Sequence, residues 1–183
     1  LKVPAVAATD DEKVHFFGNG RQNKYMKRKF RSERKALGKK KKVNAIRNLN
    51  NKEQRWMTNQ DHKVSREIVN FAKDNNISVI RLERLANIRQ TARTSRKNEK
   101  NLHTWSFYRL AQFIEYKANL AGICVEYVNP AYTSQTCPNC SRRYKPKGRI
   151  YRCPDCRFQA HRDVVGAPNI LSRQRPGVGG KVR

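Results

Sequence analysis

Acidic side chains are scarce in this chain: fourteen Asp and Glu stand against forty-one Lys and Arg, a formal charge of +27 over 183 residues. Self-repulsion on that scale opposes compactness unless a polyanion sits alongside. Nucleic acid is the expected partner, because each neutralised phosphate releases condensed counterions. Long apolar runs are lacking, as is a basic amphipathic anchor with a strong apolar face, so no membrane partner is expected. The apolar opening, residues 1–8, is too short for a signal peptide and has no basic leader. The first residue is not Met, so the chain is expected to start inside a longer reading frame. No internal repeat is present.

Cysteine is also rare, and four of the five form one array, Cys137, Cys140, Cys153 and Cys156, spaced C-x2-C-x12-C-x2-C. Two thiolates on a tight turn bite one metal ion, and two such turns close a sulfur tetrahedron around Zn²⁺. Both turns carry turn-forming residues between the ligands, Pro138-Asn139 and Pro154-Asp155. Disulfides suit a basic chain without an export signal poorly, since cytosolic thiols stay reduced. A redox pair explains one C-x-x-C but not two. The array therefore reads as a structural zinc ribbon, with no coordination position left for water. Cys124, in an apolar run, reads as a buried core thiol.

Periodicity supplies the rest. Residues 1–8 and 14–17 read as an antiparallel hairpin ending at Gly18-Asn19-Gly20. Residues 21–42 hold twelve Lys or Arg and one acidic residue, Glu33, a cationic helix with a thin stripe of Met26, Phe30 and Leu37, broken near Gly38. A long helix over 43–74 follows from the stripe Ile46, Leu49, Trp56, Val64, Ile68 and Phe71. Residues 77–82 read as a strand ending at Glu83, and 84–101 as a basic loop. Spacings of 3, 4, 4 and 3 from Phe107 to Ala121 predict an amphipathic helix. Residues 123–128 read as a strand buried on both faces. A short helix follows Asp163, and 176–183 is a basic tail.

That alternation predicts an α/β fold with a mixed sheet flanked by helices and interrupted by the ribbon. An RNase H-like layout fits it. The expected divisions are 1–128, including a basic helical region 21–75; the ribbon at 129–160; a last segment at 161–175; and the tail.

With so few carboxylates, their positions carry weight. Glu83 lies at the carboxyl end of a predicted strand, where α/β sheets present their chemistry, and Asp163 opens a helix just after the ribbon. Both offer hard oxygen ligands suited to Mg²⁺ or Mn²⁺. The plainer readings stand beside this one: Glu83 paired with Arg81 or Arg84, and Asp163 as a helix cap. Glu115 and Glu126 read as a helix-surface and a strand-face residue.

The runs Tyr132 through Cys140, Cys153-Pro154-Asp155-Cys156, and His161 through Ala167 with Asn169-Ile170-Leu171 resemble the carboxy-terminal half of the TnpB/OrfB transposon proteins. In that family a RuvC-like nuclease domain is interrupted by a zinc ribbon, and the type V CRISPR effector nucleases are relatives. Residues 77–85 resemble the strand presenting the family's catalytic glutamate. His62 with Ser65, and Tyr116-Lys117-Ala118, match the helices on either side.

The resemblance implies a prokaryotic, cytoplasmic, nucleoid-associated DNA endonuclease guided by RNA, with Glu83 and Asp163 as two of three Mg²⁺- or Mn²⁺-binding carboxylates. The third is expected three residues before Leu1, so this chain alone should cleave weakly or not at all. Phosphate contacts are expected from Arg21, Lys24, Lys27, Arg28, Arg31, Arg34 and Lys35, and from Arg89, Arg93, Arg96 and Lys97. A non-catalytic nucleic-acid-binding zinc-ribbon protein is the alternative. Three departures from the family stand out. Ser141 occupies the usual glycine position after the second cysteine, Arg84 replaces an acidic residue, and Pro168 is expected to kink or shift the helix that Asp163 opens.

Overall fold

The computed structural model describes residues 4–11, 13–85, 107–146 and 148–172. Strands β1 (Ala5–Ala8) and β2 (Val14–Phe17) pair antiparallel, with Ala5 opposite Phe17 and Ala8 opposite Val14. The chain leaves β2 through Gly18 at φ +72°, where a Cβ would lie 2.6 Å from a Val64 methyl. Only glycine allows both this left-handed turn and the close approach of the hairpin to the long helix.

Helix α1 (Gly20–Lys39) is capped by Asn19, whose side chain accepts the Arg21 and Gln22 amides at 3.1 Å each. It buries Phe30 and ends before Lys41, at φ +51°. Helix α2 (Val43–Asp74) packs back on α1, with Arg34 reaching Glu53 and Asn50. Both helices thus follow the predicted stripes closely.

The stripe on α2 meets helix α3 (Phe107–Leu120). Phe17, Val64, Ile68, Val69 and Ala72 join Leu110, Ile114, Ala118 and Ile123 in the main core. Gly122, at φ +74°, turns the chain out of α3. Strand β3 (Val79–Glu83) then pairs parallel with β4 (Cys124–Val128), Glu83 opposite Val128. A parallel pair needs a crossover connection, and α3 lies within it.

Strands β5 (Ile150–Arg152) and β6 (Gln159–His161) form an antiparallel ladder, and helix α4 (Arg162–Leu171) follows directly. Val165 of α4 packs into a second core with Cys137, Tyr151 and Cys153. The α/β class is as expected. Among the described residues, however, the strands make three two-stranded ladders, and α4 lies against β1 and β3.

Three expectations are corrected. Strand β4 is half-buried over most of its length, with only Val128 fully buried, so it is not a strand fully enclosed on both faces. Cys124, at its exposed first position, is not a core thiol; the neighbouring Ile123 takes the core position. Pro168 cannot donate to the Val164 carbonyl, yet α4 begins at Arg162, so the helix start is not shifted.

Candidate functional site

The two cysteine turns are built alike. Cys137 N–H donates to the Arg142 carbonyl and Cys153 N–H to the Phe158 carbonyl, each at 2.8 Å. The residue after each second cysteine is left-handed, Ser141 at φ +58° and Arg157 at φ +60°. That conformation explains why a glycine suits the position Ser141 fills. The turns place Cys137 Sγ 3.5 Å from Cys156 Sγ, and Cys140 Sγ 3.5 Å from Cys153 Sγ. All four sulfurs lie within 4.8 Å of one another.

A disulfide needs about 2.05 Å. Zinc–sulfur bonds of about 2.3 Å put tetrahedral sulfurs roughly 3.8 Å apart, so the cluster fits Zn²⁺ and not two disulfides. The Phe158 N–H and the Asn139 side chain pull the Cys156 thiol down to about 6. The Arg142 N–H pulls on Cys140, but desolvation and the neighbouring sulfurs leave that thiol up at about 12. A bound cation would hold all four as thiolates.

Glu83 ends β3, and the Thr133 hydroxyl donates to its Oε1 at 2.8 Å. Arg81 is committed elsewhere, paired with Glu126 at 3.2 Å and donating to the Leu171 carbonyl. Glu115 accepts the Tyr127 hydroxyl at 2.8 Å. Asp163 sits in the first turn of α4, its side chain about one-third exposed. The cap is His161, whose Nδ1 accepts the Asp163 N–H at 3.3 Å, so the carboxylate of Asp163 is not the capping group.

Helix α4 is stitched to the turn that leads into the ribbon. Arg162 Nη2 donates to Ser134 Oγ at 3.2 Å. Asn169 Nδ2 is shared among the carbonyls of Thr133, Thr136 and Val165 at 2.8, 2.8 and 3.0 Å. The carrier of Asp163 and the partner of Glu83 are therefore held together. Among the described residues, the four cysteines are the one group of three or more His, Cys, Asp or Glu arranged to share a metal ion.

The basic residues of α1 divide by face. Arg21, Lys24, Arg28, Arg31 and Lys35 are exposed, whereas Arg34 and Lys27 are half-buried on the α2 side. Burial lowers the Lys27 pKa, against the opposing pull of Glu53 and Asp61. Arg89, Arg93, Arg96 and Lys97 lie outside the described residues, as do most of loop 84–100 and the tail. Thr133 and Asn169 were visible only as members of a motif. Their chemistry depends on partners 50 and 36 residues away.

A family model described as Cas12f1-like, TNB domain matches residues 107–170. A TnpB-like protein of Methanocaldococcus jannaschii is 36% identical over 126 residues, covering 68% of this chain and 45% of the relative. The CRISPR-associated endodeoxyribonuclease Cas12f1 of Sulfoacidibacillus thermotolerans is 33% identical over 136 residues, covering 73% and 31%.

Among solved structures, a CRISPR-Cas12f ternary complex superposes with a TM-score of 0.80 at 20% identity, covering 96% of this chain and 38% of that one. The Cas12f1–sgRNA–target DNA complex gives 0.75 at 21%, covering 92% and 49%. These likenesses establish the shared fold. The chain spans less than half the length of each of these relatives. From the cysteine ribbon, the fold and these matches together, the chain belongs to the TnpB-type family, which is related to the Cas12f nucleases.

Proposed function

We propose that the chain carries part of the active centre of an RNA-guided, metal-dependent DNA endonuclease of transposon origin, together with a structural zinc ribbon. The observation that supports this most directly is the bridge from Glu83 through Thr133 to Asn169 of α4, the helix that bears Asp163. Glu83 and Asp163 would hold Mg²⁺ or Mn²⁺, which when bound activates water and neutralises charge during phosphodiester hydrolysis. Cys137, Cys140, Cys153 and Cys156 would hold Zn²⁺ and keep the lead-in turn in place. DNA and a guide RNA are the proposed partners, in keeping with the nucleic acids in the Cas12f1 complex. Arg21, Lys24, Arg28, Arg31 and Lys35 supply phosphate contacts, which position a strand without reading its sequence.

The described residues supply two carboxylates to such a centre, so weak Mg²⁺ binding and weak or absent cleavage are expected of residues 1–183 alone. The test is Mn²⁺ titration and Mg²⁺-dependent DNA cleavage by the zinc-loaded chain, with Glu83→Ala and Asp163→Ala beside it. The expected result is weak Mn²⁺ binding that either substitution abolishes. The reading fails if both variants bind Mn²⁺ as the parent does. That outcome would favour the second reading, a non-catalytic zinc-ribbon protein that grips nucleic acid by charge.

A further inference from the structure

We infer that Thr133 is a positioning residue for the Glu83 carboxylate, and that Asn169 and the zinc ribbon hold Thr133 in place to do it. This rests on the nuclease reading for its purpose, though not for its geometry. Thr133 is 4% exposed, and its hydroxyl has one proton to give. Two acceptors are in reach, Glu83 Oε1 at 2.8 Å and the Pro130 carbonyl at 3.2 Å. The carboxylate is both nearer and charged, and hydrogen bonds to ionised acceptors are the stronger kind. A carboxylate's two oxygens offer about four lone-pair sites, so one hydroxyl donor does not saturate it.

The turn around Thr133 is built to keep that hydroxyl still. Asn129 Oδ1 accepts the Ala131 N–H at 2.9 Å, closing the first bend. Tyr132, immediately before Thr133, adopts φ +65°, a left-handed conformation that a Cβ disfavours. Its ring is clamped by the Arg143 guanidinium, 3.0 Å from the ring centroid. Asn169 then takes the carbonyls of Thr133 and Thr136, and Cys137, the first zinc ligand, is the next residue. A buried threonine needing only satisfaction could rely on the Pro130 carbonyl. The left-handed Tyr132, the Arg143 clamp and the two carbonyls held by Asn169 instead fix Thr133 against the end of β3, where a loose turn would let the carboxylate swing.

The test uses the full zinc-loaded chain without Mg²⁺, following the Glu83 side-chain carboxyl carbon by NMR, assigned by its loss in Glu83→Gln. Thr133→Val should displace that resonance with zinc stoichiometry unchanged, and Thr133→Ser should restore it. A residue that merely filled space would not show that rescue. Titrating Mn²⁺ and reading the broadening of the same resonance should show affinity about tenfold weaker in Thr133→Val and recovered in Thr133→Ser, the size expected for one charge-assisted hydrogen bond.

If Thr133→Val fails to fold, Thr133→Cys keeps the bulk with a weak donor and should displace the resonance partway. An unmoved Glu83 resonance in the folded variant overturns the inference. A moved resonance with no Mn²⁺ effect in any protein, parent included, leaves Thr133 as the positioner of Glu83 and sinks the nuclease reading instead.

Discussion

Single residues carry strain that the ribbon's turns impose. Ser141 and Arg157 both sit at φ near +60°, where a Cβ crowds the backbone and glycine does not. Ser141→Gly and Arg157→Gly should each stabilise the zinc-loaded protein by about 1 kcal/mol, read as a higher midpoint in urea. A drop in midpoint would mean these side chains contribute contacts worth more than the strain. Ser141 was legible as a departure from a family glycine, but Arg157 was not, because nothing in a sequence marks a left-handed arginine.

Tyr127 gives a pH prediction at the same scale. Burial, then its bond to Glu115, raises its pKa from 10 to about 12. Between those values the unfolded chain has lost the proton and the folded chain has kept it. Stability from this bond is therefore complete below pH 10 and falls as the pH rises towards 12. Tyr127→Phe should flatten that alkaline loss, measured by denaturant midpoints across pH 9 to about 12.

Between elements, polar pairs set the register of α2 against α3. Asp61 is buried and bound by Arg109 at 2.6 and 2.8 Å. His62 stacks on Phe113 with ring centroids 3.9 Å apart. Lys117, also buried, donates to Ser65 Oγ at 2.5 Å and to the His62 carbonyl at 2.7 Å. These contacts repeat along one face at Arg109, Phe113 and Lys117, so sliding either helix by a turn would break all of them at once.

Asp61→Ala should cost about 3 kcal/mol, since it leaves a partly buried guanidinium without its carboxylate. Urea unfolding measures it, and a loss below about 0.5 kcal/mol would reduce the pair to a surface one. The helices themselves were readable: the stripe from Ile46 to Phe71 put α2 at the bounds the structure has. Their pairing was not, because Asp61 and Arg109 are 48 positions apart and periodicity carries no information across that distance. The candidate site divides in the same way. The cysteines announce their turns through local spacing. The bridge from Glu83 to Thr133 to Asn169 exists only after β3, the lead-in turn and α4 have met.

At the scale of the molecule, a charge of +27 favours a polyanionic partner, and α1 presents a regular row of exposed cations. Lys24, Arg28, Arg31 and Lys35 recur every three or four residues, so they lie along one side of the helix. Arg34 and Lys27 are spent on the α2 side, which makes the exposed row the testable one. If each cation displaces one condensed counterion from duplex DNA, log K falls against log salt with a slope of about −0.9 per contact. Replacing Arg28 and Arg31 together by Gln should therefore make the slope shallower by about 1.8. Affinity should weaken alike on unrelated sequences, because phosphate contacts carry no base information. Fluorescence anisotropy over a salt series measures both. An unchanged slope would move the electrostatic grip away from α1, and a sequence-dependent loss would make these arginines base readers.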